Sequence, residues 1–102
     1  MIDGLVAGRL TGDPERRVGK GDSMFVVAKV RAQNNDGDAV IVNVIVFDED
    51  AARALRAMRD GDSVALSGSL TPKVWTDKQG VVRPAMDMVA HRVLAGEISA
   101  VV

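Results

Sequence analysis

Few side chains in this sequence could carry covalent chemistry. Cysteine is absent from its 102 residues, which removes thiolate nucleophiles, disulfides and zinc–thiolate sites. The single histidine, His91, has no second histidine, cysteine or carboxylate cluster to work with. It is read as a surface or partner-satisfied imidazole rather than a metal ligand or a general base. Asp48-Glu49-Asp50 is the densest acidic run, and charge at a helix start explains it better than a metal cluster does. No nucleophile, base and orienting group can be assembled, so neither an enzyme nor a cofactor or metal is expected. What remains is non-covalent. Three rings, Phe25, Phe47 and Trp75, make up 3% of the chain, and 13 Lys and Arg stand against 14 Asp and Glu for a net charge of −1. A ring offers a large apolar area and a π-face. The balanced charge excludes a protein that coats a polyanion by bulk positive charge.

The elements that must position these groups follow from pattern. The length allows one domain, and 47% hydrophobic with 26% charged residues is an ordinary globular composition. The start, Met1-Ile2-Asp3-Gly4, has neither the basic region nor the long apolar run of a secretory signal. The longest apolar stretch, Val40 to Phe47, is interrupted by Asn43 and is far shorter than the about 20 residues of a membrane helix. A cytoplasmic protein with no membrane association is expected. Valine favours strands because its branched Cβ packs well on a pleated surface. Ile2 to Thr11 reads as the first strand, with Gly4 and Gly8 marking bends or close backbone approach. Gly12-Asp13-Pro14 breaks it, and Asp13-Pro14-Glu15 reads as turn chemistry with Asp13 accepting local N–H bonds. After a second turn at Gly19-Lys20-Gly21-Asp22, Met24 to Ala32 is the next strand. Asn34-Asn35-Asp36-Gly37-Asp38 is a hairpin loop, and Val40 to Phe47 is the third strand.

Asp48-Glu49-Asp50 opens a helix whose apolar face is Ala51, Leu55 and Met58, with Arg53, Arg56 and Arg59 following and Gly61 stopping it. The arginines are assigned to a solvated face. Asp62 to Leu70 is a fourth strand, and Thr71 to Pro84 a long polar hairpin arm with its tip at Asp77-Lys78-Gln79-Gly80. Ala85 to Leu94 is the fifth strand. This order predicts an all-β fold with one helix: a five-stranded Greek-key OB-fold barrel with the helix between strands three and four.

Alternation sorts the third strand into faces. Val40, Val42, Val44 and Val46 form a uniform set suited to a barrel interior. Ile41, Asn43, Ile45 and Phe47 form the other face, which includes an amide and an aromatic and is assigned to the outside. An exposed apolar stripe needs a purpose. Two remain open on the pattern alone: the ligand face that OB-folds build from their second and third strands, or cover by an oligomer contact or loop.

Three blocks in register then resemble the bacterial-type single-stranded DNA-binding protein family. The first is Gly8-Arg9-Leu10-Thr11 with Asp13-Pro14-Glu15 and Arg17. The second is Val44-Ile45-Val46-Phe47, then the helix, then Gly61-Asp62-Ser63-Val64 and Gly68-Ser69-Leu70. The third is Trp75-Thr76-Asp77-Lys78-Gln79-Gly80, Arg83 and Asp87-Met88-Val89-Ala90. The likeness spans roughly residues 2 to 94.

The resemblance implies an OB barrel over 1–95, a short extension over 96–102, sequence-independent binding of single-stranded DNA, and a homo-oligomer, tetramer favoured over dimer. By position, Trp75 matches the stacking Trp of the last arm and Phe47 the stacking Phe that ends the third strand. Ile41 stands where many members have a stacking Trp, and Asn43 shares its face. Backbone contacts are expected from Arg9, Lys29, Arg31, Lys73, Lys78 and Arg83. Lys29 and Arg31 share a face with Phe25 and Val27, and Phe25 is assigned to core or interface. The family's long Gly/Pro/Gln-rich tail with an acidic tip has no counterpart before Ala100-Val101-Val102, so replication partners recruited through such a tip are not expected. The implied role lies in DNA replication, recombination or repair. The alternative is an oligomeric interaction module, or a primosome accessory, with weak or no DNA affinity.

Overall fold

The computed structural model describes residues 2–33 and 37–94. Six strands and one α-helix follow in the order β1 (Ile2–Leu10), β2 (Glu15–Val18), β3 (Met24–Gln33), β4 (Ala39–Val46), α1 (Glu49–Arg56), β5 (Ser63–Thr76) and β6 (Val82–Leu94). The sheet runs β1-β5-β6-β4-β3-β2, and β1 also pairs with β3. That extra pairing, Arg9 with Arg31 and Leu10 with Val30, joins the two sides of the sheet. Five strands therefore form a ring in which only β4 and β6 run parallel. This is the Greek-key OB barrel expected from the element order.

Closure depends on two glycines. A Cβ at Gly8 would strike the carbonyl oxygen of Arg31 at the seam where β1 meets β3. A Cβ at Gly68 would strike the carbonyl oxygen of Val89, at the bulge between Ser67 and Gly68 that bends β5 around the barrel. Only a residue without a side chain allows the backbones to come this close.

The core follows alternation along β3 and β4. Val26, Ala28 and Val30 of β3 and Val42, Val44 and Val46 of β4 point inward, with Leu66, Leu70, Met88 and Ala90 from β5 and β6. Leu55 of α1 is fully buried in the same cluster, with Ala51 and Met58 beside it. No polar or charged residue is buried among the described residues. Asp48 caps α1, its carboxylate accepting from the Ala51 backbone N–H at 2.9 Å.

The structure differs from the sequence reading at three places. A short strand, β2, occupies Glu15–Val18 and pairs with β3; its four residues are all exposed and give no alternation signal. The hairpin arm turns at Asp77-Lys78-Gln79-Gly80 as expected, but β5 and β6 run on into it, staying paired out to Thr76 and Val82 instead of ending at Leu70 and Ala85. Thr71 to Thr76 are all exposed, so the ribbon leaves the barrel as two strands. Asp13 does not bond locally: its carboxylate accepts from the backbone N–H of Asp60, while Asp60 accepts from Gly12 N–H at 2.7 Å. These bonds tie the first turn to the loop after α1. The loop residues 34–36 and the extension 96–102 lie outside the described residues.

Candidate nucleic-acid interface

Outward-facing residues of β3, β4, β6 and β5 form a grid whose rows are fixed by strand register. One row is Arg31, Ile41, Ala85 and Lys73. The next is Lys29, Asn43, Asp87 and Thr71, and the third is Val27, Ile45, Val89 and Ser69. The outer assignment of Ile41, Asn43, Ile45 and Phe47 thus holds against the buried Val42, Val44 and Val46. Val40, at the strand's start, is half-buried.

Trp75 stands at one end of this face, paired across the ribbon with Arg83 and 43% exposed. It lines a groove of about 630 Å³ with Ile41, Arg31, Arg83 and Thr11. Thr11 also borders a second groove, of about 830 Å³, that holds Lys29, Asn43, Ser69, Thr71 and Asp87. Phe47 lies at the far end, 59% exposed. Its ring meets Phe25 with centroids 5.8 Å apart and planes tilted by 50°, a favourable offset geometry. Both rings line a separate groove against α1 that includes Arg16, Arg53 and Arg56. The face therefore joins Trp75, Ile41, Arg31, Asn43 and Lys29 along two adjoining grooves and sets Phe47 apart.

The cations divide into two sets. Arg9 and Arg31 are register partners at the β1–β3 seam and line one pocket together. The Arg9 guanidinium donates to the Gly61 carbonyl at 3.0 Å and meets no carboxylate among the described residues. Lys29 and Arg31 have no acidic partner among the described residues, and neither has Lys78 at the arm's tip. Lys73 and Arg83 are engaged. Lys73 Nζ lies 2.7 Å from Asp87, and Arg83 Nε donates to Asp77 at 3.0 Å.

Asp77 organises the arm's tip. Its carboxylate accepts from the backbone N–H groups of Gln79 and Val81 as well as from Arg83. The Val81 N–H, helped by Arg83 and Gln79 against a smaller opposing effect of burial, holds this carboxyl below its usual value of 3.8. Gly80 completes the turn at φ +81°.

Sequence reading assigned no role to Asp87, which sits in the middle of the grid. Its position was legible: Met86, Met88 and Ala90 alternate as the inner set of β6, which sends Asp87 outward. His91 is exposed, and no group of three or more potential metal-ligating side chains occurs among the described residues. No helix among them is long and apolar enough to cross a membrane.

Comparison with known proteins agrees with this architecture. The model of the single-strand binding protein family matches residues 1–95. The single-stranded DNA-binding protein of Clostridium tetani (strain Massachusetts / E88) is 30% identical over 95 residues, which are 87% of this chain and 66% of that protein's length. The crystal structure of the small single-stranded DNA-binding protein from Streptomyces coelicolor superposes with a TM-score of 0.71 at 18% identity, covering 92% of this chain and 93% of that one. The mitochondrial single-stranded DNA binding protein Rim1 of S. cerevisiae gives 0.69 at 16% identity over the same shares. The fold, the register of its outer face and the family match over residues 1–95 lead to one conclusion: this chain belongs to the single-strand binding protein family.

Proposed function

We propose that this chain binds single-stranded DNA, as its relatives' names say of them, that it does so without reading the sequence, and that it serves replication, recombination or repair in the cytoplasm as a binding protein rather than a catalyst. The observation that carries the reading is the outer sheet face, with Trp75 in a groove at one end, Phe47 at the other and unpaired cations along one edge. Bases stack on Trp75 and Phe47. Ile41 supplies apolar contact beside Trp75, and Asn43 a hydrogen-bonding group. Arg9, Lys29, Arg31, Lys78 and Arg83 meet phosphates, and Lys73 does so only as far as Asp87 releases it. Stacking is sequence-tolerant because every base has a π-face.

The chain acts as a homo-oligomer, tetramer favoured. Support comes from β1, whose pairing with β3 begins only at Arg9, and whose residues Ile2 and Leu5 are exposed. Such an edge is ordinarily covered. Residues 1–95 are the binding domain in this reading, with 96–102 a short extension.

Trp75 is the only tryptophan, so its fluorescence reports one site per chain. Titration with poly-dT at low salt should quench it, and added salt should reverse the quenching. An absence of both quenching and a gel shift at micromolar protein would remove the DNA-binding reading and leave an oligomeric interaction module.

A further inference from the structure

Asp87 is the one acidic side chain within the three register rows, and it lies at their centre, whereas Asp13, Glu15 and Asp38 line the same grooves from outside the rows. A single carboxylate oxygen, Oδ1, holds two neighbours on different strands: Lys73 Nζ at 2.7 Å from β5 and Asn43 Nδ2 at 3.4 Å from β4. The cluster spans three strands and carries no net charge. Exposed ion pairs of this kind add little to folding stability, and roughly half of both side chains is open to water. The cluster's consequence therefore lies in what it presents to a ligand. A phosphate brought to the centre of the face would meet a carboxylate and an already neutralised lysine. One column away, Lys29 and Arg31 on β3 have no acidic partner among the described residues, and Arg9 continues their line across the seam.

The geometry points to Asp87 as a positioning residue for the bound strand. It cancels the charge of Lys73, keeps phosphates off the middle of the face and confines their track to the Lys29–Arg31–Arg9 edge. Bases then lie over Asn43, Thr71 and Ser69, which offer neutral hydrogen-bonding groups. This inference rests on the DNA-binding reading and deepens it, because on the sheet itself it separates Lys29, Arg31 and Arg9, which meet phosphate, from Lys73, which does not, and leaves Lys78 and Arg83 to the arm.

Salt dependence separates the two kinds of cation. Each phosphate contact on a single strand contributes about 0.7 to the slope of log affinity against log salt. Oligo-dT binding would be measured by anisotropy across a salt series for the wild type and three variants, with thermal melts to show that each is folded. Arg31→Ala should lose about 0.7 of slope. The double variant Lys73→Ala/Asp87→Asn, which deletes the neutral pair, should keep the wild-type slope. Asp87→Asn alone should bind more tightly at low salt, several-fold, with a steeper slope, because Lys73 is then free to take a phosphate. A double variant that loses slope as Arg31→Ala does would overturn the inference, and so would Asp87→Asn with an unchanged or shallower slope. Both results require wild-type binding. A wild type that does not bind oligo-dT at low salt refutes the DNA-binding reading itself.

Discussion

Trp75→Ala tests the stacking argument most directly. The ring is 43% exposed and lines its groove beside Ile41 and Arg83, so one partly covered ring is available to one base. Stacking on an aromatic is worth about 1–3 kcal/mol per base, which corresponds to a loss of about 5- to 150-fold in affinity. The loss has a second signature. Stacking releases no counterions, so the plot of log affinity against log salt should shift down without changing slope. The variant has no intrinsic tryptophan signal, so anisotropy of a labelled oligo-dT is the suitable assay, read at several salt concentrations. Ile41→Ala, in the same groove, removes no ring and should cost less. Equal losses for the two variants would refute the reasoning, because Trp75 would then act only as apolar filler. A change of slope in Trp75→Ala would refute it too, because the ring would then be holding a cation in place.

Three further outcomes follow. Ile41→Trp should raise affinity by adding a ring next to Trp75; a drop would mean that Ile41 is covered by another surface. Gly8→Ala should lower the melting temperature, because its Cβ meets the Arg31 carbonyl at the barrel seam; an unchanged melt would show that the seam is not tight. The Asp77 carboxyl is held below its usual value, so its stabilisation is fully present above the ordinary Asp value of about 3.9 and is lost as pH falls through the lowered one. Asp77→Ala should therefore shift Trp75 emission at neutral pH, whereas the wild type should keep its emission until the pH drops below the ordinary Asp range, and a wild-type shift centred above that range would contradict the assignment.

The barrel was legible because its core repeats with period two. Val42, Val44 and Val46 are all buried, and Ile41, Asn43 and Ile45 all face outward, as alternation demands. The helix was legible from Ala51 and Leu55 at helical spacing behind an acidic cap. The β2 strand was not, since all four of its residues are exposed and its pairing comes from backbone groups that side-chain pattern does not encode. The hairpin arm was legible from its turn residues, but how far the strands extend into it was not. Beyond Leu70 every β5 residue is exposed, and β6 is exposed from Val82 to Pro84, so apolar alternation ends while hydrogen bonding continues. Alternation already put Phe47 on the outer face, whereas the place of Trp75 came from family likeness alone, and the register shows why spacing could not supply it. Trp75 reaches the face through a ribbon paired with Arg83, and Phe47 lies just past the end of β4. Contacts between distant segments set these distances.

Net charge misjudged this surface because it sums over groups that do different work. Asp48 caps α1, Asp13 and Asp60 tie the first turn to the loop after the helix, and Asp62 accepts from the Arg59 N–H. Asp77 closes the arm. These carboxylates are used as backbone acceptors, where their charge is partly answered by N–H dipoles. Asp13 lines the groove that holds Lys29, and Asp60 and Asp62 flank the Gly61 carbonyl that receives Arg9, so these charges are answered locally by the N–H groups rather than removed by distance. Asp87 is the exception. It sits inside the grid and removes Lys73 from the attractive set. Within the register rows the local charge is thus set by one carboxylate and a few cations, with Asp13, Glu15 and Asp38 bordering the grooves. The whole-chain value of −1 reports mostly on how the turns and the helix start are capped.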